Sequence, residues 1–362
     1  MKKAAAMGVL VLVLAVTAAV LVGLFQTGFP ENGTFFEKTE TAVSENIPFR
    51  EEIQTLMTKI RYRSGVRYFD GIYVGNGGVL LLDVEKPGSR VIATAKSRVL
   101  DFAKQKPGET YFMLIPTAVV IGQDAIATYA ADGLYNQRQF INSFYSEIYK
   151  TVGTVDVYQD LYNRRQDYIF YRTEDLPTSL GGYYLYEELS GRLGLRPRSL
   201  SDFSAAYVDH DFYGSLATKA LAPYAKPDFL TLYEEAPEHR HYTITHWADD
   251  GTKTETEGLY RPFGENLSDK TDRILGGLSP VTEIVAEGEE ESSLLVFCDE
   301  TAKSWLPFLA GHYGKITAVD LDRATDEQLS AITLDDYSKV LFAYGFRSFS
   351  EGVDFSRLEK IS

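Results

Sequence analysis

The sequence predicts a doubly wound, mainly parallel α/β domain with a small antiparallel β insertion, behind one N-terminal transmembrane helix. Three observations carry this. Short apolar runs alternate with helical periodicity from residue 71 to residue 344; residues 228–260 interrupt that rhythm with strand-like segments; and the chain opens on a long uncharged run. Strand–helix alternation places helices on both faces of a parallel sheet.

The opening run, Ala4–Phe25, carries no charge and follows Lys2 and Lys3. It makes about 33 Å of helix, enough for a hydrocarbon core of about 30 Å. The lysines precede it and the first acid, Glu31, follows it, which places the N-terminus inside. The rival reading is a cleaved signal peptide, whose apolar stretch is shorter, about 7–15 residues. Here the run continues past Thr17-Ala18-Ala19 through Val20–Phe25, which favours an anchor. Residues 1–26 are thus expected to be a signal-anchor, 27–45 a polar linker, and 46–362 an extracytoplasmic domain on a single-pass protein of the cell membrane.

The domain has the material for a core, with 24 Tyr and 21 Phe in the chain. Cys298 is the single cysteine, so no disulfide within the chain can supplement that core. A net charge of −15 argues against nucleic acid and against anionic lipid, which both recruit basic patches.

Residues 47–66 have helical spacing of apolar positions, with Pro48 near the start. Residues 71–83 read as strand, Asn-Gly turn, strand. Helix is expected over 91–105, strand over 111–116, helix over 137–150, strands over 154–158 and 168–171, and helix over 180–193. In 228–260, the segments FLTLYEE, HRHYTITHW and TKTETEGLY read as one antiparallel excursion turning at Asp249-Asp250-Gly251. The alternation then resumes: strand 293–297, helix 302–313, strand 316–321, helix 325–332, strand 339–344.

Ligands of doubly wound sheets sit at the carboxyl ends of strands. Two such loops stand out. One is Arg172-Thr173-Glu174-Asp175-Leu176-Pro177-Thr178-Ser179; the other is Cys298-Asp299-Glu300-Thr301. The stretches IPFREE (47–52), YFMLIPTA (111–118), YNQRQFINSFYSEI (135–148), VDVYQDL (155–161), YRTEDLPTSLGGYYLYEEL (171–189), DFYGSLATKA (211–220), LGGLSPVTEI (275–284), VFCDETAKSWLPFLAGHY (296–313) and ITAVDL (316–321) occur in that order. In that order they resemble the DHHW proteins of Gram-positive bacteria, relatives of the alginate O-acetylation proteins in the SGNH-hydrolase-like group.

The resemblance implies an SGNH-hydrolase-like fold and a serine–histidine–acid acyl transfer, in which the serine attacks and the histidine takes its proton. Members typically carry Thr-Asp-His-His-Trp-Thr in the first loop and Gly-Asp-Ser in the second. This chain has Glu174-Asp175-Leu176-Pro177 between Thr173 and Thr178, and Cys298-Asp299-Glu300. Leu176 thus stands for the histidine, Glu300 for the serine, and Glu174 for the acid. Leucine accepts no proton, a carboxylate is a poor nucleophile toward esters, and Cys298 replaces a glycine that lets the backbone turn tightly. The expectation is a degenerate, non-catalytic domain with no confident catalytic residue. Arg172, Thr173, Glu174, Asp175, Thr178, Ser179, Asp299 and Glu300 remain as candidate cleft residues. The partner expected is a cell-envelope polysaccharide or a membrane-bound O-acyltransferase. The alternative is a divergent carbohydrate O-acetyl esterase or acetyltransferase using other residues.

No Gly-x-Ser-x-Gly elbow, P-loop or dinucleotide fingerprint occurs, and no cofactor is expected. His239 and His241, with Glu238 ahead of them, have metal-ligand spacing, but an exposed hairpin edge accounts for them and no metal is expected. His312 reads as structural. The acids Glu174, Asp175, Asp299 and Glu300 read either as helix caps or as oxygen ligands for a hard cation such as Ca²⁺.

Overall fold

The computed structural model describes residues 50–220, 224–235, 240–262, 267–288 and 292–361. The expected membrane span and linker lie outside these residues. Among the described residues, no helix is long and apolar enough to cross a membrane. The helix Arg50–Arg63 belongs to one compact unit, and residues 67–220 with those from 224 onward belong to another.

The second unit is built on an eight-stranded sheet. Three short strands precede it in the chain: β1 (Tyr68–Phe69), β2 (Ile72–Val74) and β3 (Leu80–Leu82) form a small antiparallel sheet. Then come β4 (Thr110–Ile115), β5 (Gly153–Val155), β6 (Phe203–Phe212), β7 (Asp228–Glu235), β8 (Tyr242–Trp247), β9 (Lys253–Glu257), β10 (Val281–Ala286), β11 (Ser293–Cys298), β12 (Lys315–Val319) and β13 (Lys339–Gly345). The main sheet runs β5-β4-β13-β11-β12-β10-β8-β9. Its first five strands are parallel and its last three join antiparallel.

The central strands read as unbroken apolar runs because both faces are covered. On one face Phe112, Phe342 and Phe297 are cross-strand neighbours in register, with ring centroids 5.9 and 4.9 Å apart. Phe102 from the helix Ser89–Ala103 and Phe144 from the helix Gln137–Ile148 close over them. On the other face Met113, Ala343 and Cys298 join a second core with Leu185 and Tyr186 of the helix Ser179–Leu193 and with Trp305 and Phe308.

Three expectations are corrected. The segment 168–171 is not a strand; it makes a single bridge, Phe170 to Pro177. Its backbone bonds mostly to its own loop instead: the Ile169 carbonyl accepts from Thr178 N and Tyr171 N donates to the Leu176 carbonyl, while the Arg172 carbonyl beyond it accepts from Leu80 N of β3. The 228–260 excursion is divided. β7 leaves it to pair with β6, because Leu230 and Leu232 bury on one face of that ribbon. β8 and β9 extend the main sheet through β10, a strand absent from the expected alternation. The helix expected over 302–313 is split into a 3₁₀ turn, Glu300–Ser304, and the helix Leu306–Ala310. Pro307 lacks an amide proton and fits only in a first helical turn, so the chain restarts there.

Candidate functional site

A cleft of about 760 Å³ opens at the carboxyl ends of β4, β13, β11 and β12. The loop after β11 forms its floor. Asp299 caps the 3₁₀ turn: Oδ1 accepts from Thr301 N at 3.0 Å and from the Thr301 hydroxyl. Oδ2 accepts from Gly345 N at 2.8 Å, which ties β11 to the end of β13. A Cβ at residue 345 would lie 3.1 Å from that oxygen, so the close approach favours glycine.

Glu300, in the serine slot of the resemblance, is an ion-pair partner. One carboxylate oxygen lies 2.7 Å from Lys303 Nζ and the other 3.6 Å from Arg323. Lys303 is 4% exposed, and its ammonium also donates to Thr271 Oγ1 at 2.9 Å and Asp272 Oδ1 at 3.0 Å, with Asp269 at 3.4 Å. Burial alone lowers the pKa of such a lysine; the three carboxylates more than reverse this and hold it above the ordinary value. Burial raises Asp269 in turn, but Lys303 and Thr271 bring it below the usual carboxylate range.

The loop after residue 171 forms one wall. Asp228, at the start of β7, accepts from Arg172 N at 2.6 Å and Thr173 N at 2.8 Å, and so fixes the loop from behind. Thr178 caps the helix Ser179–Leu193 by accepting from Gly181 N, and the buried Ser179 hydroxyl has no partner. Arg172 stacks its guanidinium 4.5 Å over Tyr168. These four residues are scaffold and do not line the cleft, whereas Glu174, Asp175, Leu176, Asp299 and Glu300 do. Glu174 accepts from Ser215 N and Ser215 Oγ, each at 2.7 Å, and so caps the helix Ser215–Ala220. Leu176 packs against the core, and nothing on it can take up a proton.

The four acids of the two loops therefore share one cleft, but two of them serve as caps. Among the described residues, no three acids, histidines or cysteines gather closely enough to hold a metal ion. Glu238 and His239 lie outside the described residues, and His241 is exposed. His312 Nε2 lies 2.7 Å from the Tyr186 hydroxyl, a bond from the turn after the helix Leu306–Ala310 to the helix Ser179–Leu193.

Asp175 differs from the other acids. Burial, aided by the Glu174, Asp299 and Glu351 charges and opposed by Arg347, pushes it up to about 7 from 3.8. An acid raised on folding binds more protons folded than unfolded, so it costs stability as pH rises from about 4 to 7. Asp175→Asn is therefore expected to be neutral at pH 4 and stabilising by about 1–3 kcal/mol at pH 8, read by urea unfolding at both values.

Sequence reasoning also missed residues that this cleft contains. Tyr344, 2% exposed at the end of β13, has a hydroxyl without a partner. On the wall opposite Asp175's loop, Ser279 Oγ lies 3.1 Å from His246 Nδ1. This serine and histidine meet outside the two loops that the sequence singles out. The available signal was the pair Gly276-Gly277, which with Leu275 makes three successive left-handed residues, φ 75°, 84° and 58° respectively. A Cβ at residue 276 would come within 3.2 Å of His246 Nε2.

A two-faced mixed α/β domain with a polar cleft at its strand ends has a ligand-binding architecture that serves many unrelated functions. The sequence matches the DHHW protein family over residues 92–319, and the chain belongs to that family. A DHHW family protein from Eubacterium siraeum superposes with a TM-score of 0.64 at 20% identity, covering 78% of this chain and 95% of that one. Bacillus cereus PatB1, solved with a sulfonyl adduct, superposes at 0.62 and 16% identity, covering 77% and 96%. The O-acetyltransferase domain of Pseudomonas putida AlgJ is a looser match, 0.47 at 12% identity over 79% and 94%. No curated protein matches the sequence.

Proposed function

We propose that this chain is a membrane-anchored, extracytoplasmic DHHW protein that binds a cell-envelope glycan in the cleft and does not run acyl transfer through the family's serine–histidine–acid slots. The observation that carries this is the pairing of Glu300 with Lys303 at 2.7 Å, with Leu176 across the same cleft. A carboxylate held by an ammonium neither attacks an ester nor finds a base to assist it. The cleft itself remains open and of a size suited to a ligand. Docking of a membrane-bound O-acyltransferase is the protein-partner form of the same reading.

The test is co-sedimentation of the full chain with purified envelope polysaccharide. Saturable binding is expected, weakened at least tenfold by Ser348→Trp, which fills the cleft. Absence of binding by the folded chain, or binding indifferent to that substitution, would refute the proposal.

A further inference from the structure

Within the cleft just proposed as a glycan site stands a serine–histidine pair that owes nothing to the family slots. β8 runs in the same direction as β12, since each is antiparallel to β10, so His246 near its end lies at the same end of the sheet, buried behind the cleft-lining Ser279. Ser279 lies just before β10, half-buried and lining the cleft. Its position is fixed: Ser279 N donates to Thr282 Oγ1 at 3.0 Å, and Thr282 is the cross-strand neighbour of His246. His246 is 7% exposed, and Nδ1 faces the hydroxyl at 3.1 Å while Nε2 has no hydrogen-bond partner. A proton on Nε2 leaves Nδ1 as the acceptor, the tautomer that a general base requires.

We infer that Ser279 and His246 form a nucleophile–base pair that hydrolyses a neutral or cationic ester carried by the cleft's ligand. Ser279 Oγ bonds to the acyl carbon as its proton passes to His246 Nδ1. The ester C–O bond then breaks, and the leaving alkoxide takes that proton. Water adds to the acyl-serine through the same imidazole and releases the carboxylic acid. Arg323 donates to the Leu278 carbonyl at 2.9 Å, which sets a guanidinium one residue from the nucleophile. Nine acidic and three basic side chains line the cleft, so anionic esters are repelled. Burial and the neighbouring Arg261 lower the His246 pKa, against the Leu275 backbone, so the imidazole is neutral at pH 7. Among the described residues, no carboxylate orients it, which places the rate below that of a full triad.

The test is hydrolysis by the full chain of p-nitrophenyl acetate, acetylcholine and the carboxylate-bearing p-nitrophenyl hemisuccinate. The first two are expected to turn over faster than the third. Ser279→Ala and His246→Gln are each expected to lower kcat/KM at least ~100-fold, with the thermal unfolding midpoint retained as the sign of an intact fold. The wild-type rate is expected to fall only on acidification below the usual imidazole range, a readout that needs no variant. A rate unchanged by Ser279→Ala, or preference for the anionic ester, overturns the inference. Binding without hydrolysis refutes this inference alone, and hydrolysis without glycan binding refutes the glycan reading alone.

Discussion

Gly182→Ala is expected to cost about 3 kcal/mol or more, a large fraction of the stability of an ordinary domain. A Cβ there would lie 1.9 Å from the Ser304 carbonyl oxygen and 2.2 Å from its carbon. Both are backbone atoms, so no rotamer change relieves the clash; the helix Ser179–Leu193 would have to move off the 3₁₀ turn that carries Glu300 and Lys303. Gly181 is equally confined, with Ile169 O at 2.1 Å from its would-be Cβ. Gly191, in the same helix, has nothing within 4 Å, and Gly191→Ala is expected to stabilise by about 0.5–1 kcal/mol. Urea unfolding of both variants checks the contrast. A Gly182→Ala protein as stable as wild type would mean that the helix and the turn are not packed as described.

The second large effect is at Lys303. Lys303→Met is expected to cost about 3 kcal/mol at pH 7, because Asp269, Asp272 and Glu300 lose their common cation. Asp269 is depressed on folding, so its contribution is present above the ordinary carboxylate pKa and is lost as pH falls through its folded value. Lys303 is raised, so its contribution holds below the ordinary lysine pKa and is lost only as pH climbs through its folded value. The deficit of the variant is therefore largest near neutrality and shrinks below about pH 4, where protonated acids no longer need the ammonium. Thermal unfolding at pH 7 and pH 4 measures this; an equal deficit at both would assign the loss to packing of the lysine stem.

How far these features are visible in the sequence depends on their range. β11, all six residues apolar or small and all buried, announces itself as a central strand. β6 does not, because only Phe203 of its residues is fully buried and its pairing with β7 skips at Val208 and at His210-Asp211. The two loops that frame the cleft were legible because each follows an apolar segment and opens a helix. The Glu300–Lys303 pair is local, three residues apart, whereas Asp272 and Asp269 reach the same ammonium from 31 and 34 positions away. Ser279 and His246 are 33 residues apart and meet only through the β8–β10 register. No local pattern encodes such a meeting, and the strand containing Ser279's neighbour Thr282 was itself unrecognised.

The most direct measurement of where chemistry resides in this cleft is labelling of the full chain with a fluorophosphonate, followed by peptide mapping. The expected adduct lies on Ser279, with Thr173, Thr178, Ser179, Thr301 and Ser304 unmodified. An adduct on any of those five would reveal a working nucleophile in the family slots and contradict the conclusion that Glu300, tied to Lys303, has replaced it.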